Sequence, residues 1–145
     1  MQNKIIIMRH QSGGEYTNYI SPYELKTRTN HLYNKLCTQE IDTVFTCYPN
    51  NDHHIRPLQT ASNLCTLLHR DLRVIDGVKN LPKFMFENML IVWHHSEMEN
   101  ILKHYGFKGE FSWPDDNYDG CLMLYGCGWE FDPTFFENKY CFCLF

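Results

Sequence analysis

Apolar residues follow two alternating rhythms along this chain. Short, largely apolar runs at 4–8, 41–47, 72–75 and 89–93 are separated by stretches with an apolar position every three or four residues. The runs Lys4-Ile-Ile-Ile-Met8 and Met89-Leu-Ile-Val-Trp93 suit strands covered on both faces, as in a parallel sheet. Residues 41–47 are rich in β-branched side chains, which favour strands. Leu25, Thr29, Leu32 and Leu36 predict a helix to about Cys37, opened by Ser21 as N-cap and Pro22 in the first turn. Arg56-Pro57 opens a second helix, with Leu58, Ala61, Leu64, Cys65 and Leu68 on one face. A third runs from Glu97 to Tyr105, and Gly106 suits its C′ position. Segments 120–125 and 139–145 are expected as late strands, paired in a hairpin across a wide loop. The alternation predicts an α/β fold with a mainly parallel sheet.

Bulk properties narrow this picture. A length of 145 residues fits one domain spanning 1–145, and a 43% hydrophobic fraction is enough for a sizeable core. The formal charge of -4 gives no broad basic field, so nucleic acid is not an expected partner. No apolar run approaches the ~20 residues of a membrane span, and no membrane partner is expected. Lys4 is followed by only four apolar residues before Arg9, too few for a secretory leader. The seven cysteines form no Cys-x-x-Cys pair, so they read as small apolar fillers in a reduced, cytoplasmic protein.

In open α/β sheets, ligands sit at the carboxyl ends of the strands. Here the first strand ends on Arg9-His10, the second on Thr46-Cys47 with Arg56 shortly after, and the fourth on His94-His95. Arginine offers a planar fork of donors that matches phosphate, and a neutral imidazole can attack phosphorus. Gly13 and Gly14 would let the backbone approach a substrate closely. The segment Trp113-Pro-Asp-Asp-Asn-Tyr118 is a candidate for the pocket rim.

Three blocks together resemble the histidine phosphatase superfamily, the phosphoglycerate mutase-like proteins. They are Ile-Met-Arg9-His10, then Thr46-Cys47 with Ile55-Arg56-Pro-Leu-Gln-Thr60-Ala61, then Leu90-Ile-Val-Trp-His-His95-Ser-Glu-Met98. Ser21 to Arg28 resembles the opening of that family's first helix, with its Gly replaced. The resemblance implies a three-layer α/β/α sandwich and a metal-independent phosphatase with no cofactor. In it, His10 would become phosphohistidine while Arg9, Arg56 and His95 bind the phosphoryl oxygens. His95-Ser96-Glu97 resembles a variant in which an acid follows the second histidine, so Glu97 is a candidate general acid, with Glu87 and Asp76 as competitors. The implied partner is a small phosphorylated substrate, a phosphomonoester or phosphoramidate, or a phosphoprotein. Gln11 stands where the family has Gly, and Cys47 where it has Ser or Thr. The short chain lacks room for the insertions that cap mutase pockets, which favours a phosphatase over a mutase.

Blander readings compete at several positions. Ser96 and Glu99 form a capping-box pattern that would explain Glu97 as a first-turn acid. His94 should point away from His95 if the strand continues, which makes it structural. Histidines 53, 54, 94 and 95 with Asp52 could instead bind a divalent ion, although their spacing matches no standard motif. A catalytically inactive relative that binds a phosphorylated ligand is the main alternative. A late strand left at a sheet edge could pair two copies as a homodimer.

Overall fold

The structure, a computed structural model, describes residues 3–12, 19–49, 55–83, 86–108 and 110–137. The expected strand at 139–145 lies outside them, as do Gly13, Gly14, Asp52, His53 and His54.

The elements in chain order are β1 (Ile5–Arg9), α1 (Pro22–Leu36), β2 (Thr43–Cys47), α2 (Arg56–Leu68), β3 (Asp71–Ile75), β4 (Met89–Trp93), α3 (Met98–His104), β5 (Cys121–Leu124) and β6 (Trp129–Asp132). They build a six-stranded sheet in the order β3-β2-β4-β1-β5-β6. The first four of these strands run parallel to one another, whereas β5 lies antiparallel to β1 and pairs with β6 in a hairpin. The expected partner of the 120–125 strand was 139–145, and the structure supplies β6 instead. Alternation in Trp129–Asp132 spans only four residues, with Trp129 and Phe131 half-buried between exposed Glu130 and Asp132. Such a segment carries little signal in the sequence.

β1, β2 and β4 are buried along their whole length, which explains why they are largely apolar. Ile6, Met8, Val44, Leu90 and Val92 face Leu32 and Leu36 of α1 and Ala61 and Leu64 of α2. Ile5, Ile7, Phe45, Ile91 and Trp93 face the opposite way, toward Ile101 and Leu102 of α3 and toward Trp113. Helices therefore cover both faces of the sheet, as a three-layer α/β/α sandwich requires. The Ser21 hydroxyl caps α1 by accepting from the Glu24 N–H at 3.4 Å. Gly106, at φ 82°, takes the left-handed conformation expected after α3. Among the described residues, no helix is long and apolar enough to cross a membrane. Cys47, Cys65 and Cys121 are buried free thiols, while Cys37 and Cys127 are free and exposed.

Candidate active site

Parallel register sets the geometry of the site. β1 pairs with β4 so that Met8 faces Val92 and Arg9 faces Trp93. One step further along, the His10 N–H donates to the Trp93 carbonyl at 3.4 Å, and the His10 and His94 rings meet edge-on with centroids 5.8 Å apart. The expectation that His94 turns away from the site is therefore corrected. Residues in register on neighbouring strands share a face, so the face His94 takes opposite Trp93 is the one His10 occupies. His95 begins a 3₁₀ turn, His95–Glu97, and its Nε2 meets Asp115 Oδ1 at 3.2 Å. Both arginines lie close enough to His95 to depress its protonation, although burial is the larger cause.

His10 is only 1% exposed. Its Nδ1 lies 2.9 Å from the Gln11 carbonyl, an oxygen that can only accept. Nδ1 therefore carries the hydrogen, and the lone pair resides on Nε2. Burial pushes the imidazole pKa down to about 3, and the charges of Arg56 and Arg9 act in the same direction. The ring is thus neutral at physiological pH.

The two arginines are in different situations. Arg9 is 5% exposed. One terminal nitrogen donates to the Asp115 carbonyl and, at 3.2 Å, to the Asn117 carbonyl; the other donates to the Tyr118 hydroxyl at 3.1 Å. The guanidinium also lies 3.9 Å from the Tyr118 ring centroid. The 113–118 segment, expected at the rim, thus lies directly on Arg9. It is braced from within, because the Trp113 indole N–H donates to the Asn117 carbonyl at 2.9 Å and the Gly120 N–H to Asn117 Oδ1 at 2.7 Å. Arg56 lies at the first turn of α2, and its side-chain Nε is buried without a partner. Below it, the Thr60 hydroxyl donates to the Arg56 carbonyl at 2.9 Å and accepts the Gln11 N–H at 3.2 Å, tying α2 to the end of β1. The Gln11 side-chain nitrogen is likewise buried and unpartnered.

Glu97 does not touch His10. Its Oε2 accepts the Trp93 indole N–H, and it borders a separate cavity beside His94. The capping-box reading of this turn is corrected as well. No side chain caps α3, whose chain enters through the 3₁₀ turn, and Glu99 pairs with Lys103 at 2.9 Å instead. The competitors Asp76 and Glu87 form no hydrogen bond or ion pair with His10, Arg9 or Arg56. Among the described residues, no three His, Cys, Asp or Glu side chains cluster as a metal ion would require.

The contacts of His94 with His10 and of Arg9 with Tyr118 escaped the sequence reading. Both arise from strand register and loop return, which local patterns do not encode. No family model and no curated protein sequence matches the chain. Among solved structures, phosphoglycerate mutase from Plasmodium falciparum superposes over 90% of this chain and 89% of its own, with TM-score 0.50 and 12% identity. The chain has a phosphoglycerate mutase-like fold. A protein described as the phosphohistidine phosphatase SixA, from Agrobacterium tumefaciens, overlaps 90% of this chain and 95% of its own at TM-score 0.49 and 12% identity. In a phosphoglycerate mutase-like fold the parallel strands present their carboxyl ends at one edge, where Arg9, His10, Arg56, His94 and His95 gather here.

Proposed function

We propose that the protein is a metal-independent phosphatase that works through a phosphohistidine at His10. The observation that carries this reading is the Nδ1–H bond to the Gln11 carbonyl, which leaves a neutral Nε2 lone pair in reach of two arginines. In the first step, Nε2 forms a bond to phosphorus as the bond to the leaving group breaks. The leaving group departs with the electron pair and takes up a proton. Water then attacks the phosphorus of phosphohistidine, the P–N bond breaks, and inorganic phosphate is released.

Arg56, whose Nε has no partner, binds the phosphoryl oxygens and stabilises the charge that develops on them. Arg9 joins when the carbonyls of Asp115 and Asn117 give way to substrate oxygens. His94, at His10's side, and His95, held by Asp115, complete the cationic and donor wall. Glu97 meets the leaving group in the cavity beyond His94. The substrate is a phosphomonoester or phosphoramidate, free or on a protein.

The test is hydrolysis of p-nitrophenyl phosphate, with and without EDTA, by the wild type and by His10→Ala. Chelator-resistant turnover that His10→Ala abolishes is expected. Turnover that persists in His10→Ala, or that EDTA removes, would overturn the phosphohistidine reading. A folded wild type that binds inorganic phosphate without turning over any phosphorylated substrate would be an inactive phosphate-binding relative.

A further inference from the structure

A cavity of ≈ 200 Å³ opens at the carboxyl edge of the sheet, with Cys47, Tyr48, Gly77, Trp93, His94 and Glu97 in its walls. His94 is the wall it shares with the phosphoryl site, since that ring also contacts His10. Part of a substrate held at His10 can therefore reach past His94 into it. The volume exceeds the roughly 150 Å³ that admits benzene in an engineered apolar cavity.

The chemistry of the walls selects what enters. Glu97 is the one acidic side chain among them, and it is only partly exposed. Trp93 fixes one of its oxygens by donating the indole N–H. Among the described residues, the other oxygen has no hydrogen bond and no Lys, Arg or His forms an ion pair with the carboxylate. A half-buried carboxylate without a counter-ion is unfavourable, and a cation brought by a ligand removes that cost. Cys47 adds no second anion, because burial, aided by the nearby Glu97 charge, pushes its thiol up to about 12. At the rim, Tyr48 is anchored by its backbone N–H to the Ile75 carbonyl at 2.8 Å, and the residue is 61% exposed. A carboxylate behind an exposed aromatic ring is a composition that attracts ammonium and guanidinium groups.

We propose that this cavity is the leaving-group subsite, and that it takes a leaving group bearing an ammonium or guanidinium cation. The proposal rests on the phosphoryl reading of His10 and Arg56, and its test separates the two. Phosphocholine and 3,3-dimethylbutyl phosphate have the same shape and differ by one positive charge. Their dissociation constants are measured by calorimetry in a His10→Asn background, where neither is consumed. Phosphocholine should bind about tenfold more tightly. Adding Glu97→Gln, which keeps an acceptor for the Trp93 N–H, should erase that preference and leave the neutral ligand's affinity unchanged. Adding Arg56→Ala instead should weaken both ligands alike. Equal affinities in the His10→Asn background, or a preference that survives Glu97→Gln, would overturn the subsite while leaving the phosphoryl site standing. Binding of neither ligand would overturn the phosphoryl reading and the subsite together.

Discussion

Protonation of His10 should tie the protein's stability to pH in a way that a single substitution isolates. The folded state holds this imidazole at about 3, chiefly through burial. In the unfolded chain it returns to its ordinary value near 6.5. Between these values the unfolded state binds a proton that the folded state refuses. The stability associated with neutral His10 is therefore complete above about pH 6.5 and is lost progressively as pH falls toward 3. At pH 5 the folded ring is still neutral, so the loss depends on the unfolded value alone and comes to about 2 kcal/mol. His10→Asn keeps an N–H able to donate to the Gln11 carbonyl and removes the titration. Urea unfolding of both proteins at pH 8 and pH 5 gives the comparison. The wild type should lose about 2 kcal/mol more than the variant over that interval, because contributions from the other histidines are common to both. Equal losses would refute the reasoning, since they would mean that His10 accepts a proton in the folded protein and is not held as a neutral nucleophile.

Tyr118→Phe removes the hydroxyl that accepts from Arg9. A hydrogen bond to a charged group is worth about 1.5 kcal/mol or more, so inorganic phosphate should bind roughly tenfold more tightly by calorimetry if the loop competes for Arg9. Unchanged or weaker binding would mean that Arg9 need not be released. Gly120→Ala would place a Cβ 2.7 Å from the Phe131 ring and 2.9 Å from Asn117 Oδ1. Phe131 is wedged edge-on against Phe111 and Trp113 and has little room to retreat. The substitution should cost about 1–3 kcal/mol in urea unfolding, the usual range for overpacking.

Much of this architecture is legible in the sequence because it rests on local rules. The run at 89–93 predicts β4 to the residue, since a strand buried on both faces favours apolar side chains at every position. Ser21-Pro22 and Arg56-Pro57 mark the starts of α1 and α2 because proline fits the first helical turn. Arg9, His10 and Arg56 could be gathered into one site because strand ends in parallel sheets share an edge. The choice between His94 and His95 could not be read in the same way. Alternation along a strand says only that the two diverge, and the pairing of Arg9 with Trp93 decides which one meets His10. Tyr118 reaches Arg9 across 109 positions, a contact that no local pattern announces.

The β1–β4 pairing also bears on when the site comes into being during folding. Lys4 N–H bonds to Asn88 across 84 positions, and β1 has β4 on one side and β5 on the other. Closing so long a loop is entropically costly before any contact repays it, and such non-local pairings slow folding. A nascent chain that has emerged only as far as α2 holds Arg9, His10 and Arg56 but could not form the proposed anion site, because neither β4 nor the 115–118 carbonyls are yet available to β1. Phosphate binding would therefore report completion of the central sheet, rather than collapse or helix formation, in a refolding experiment.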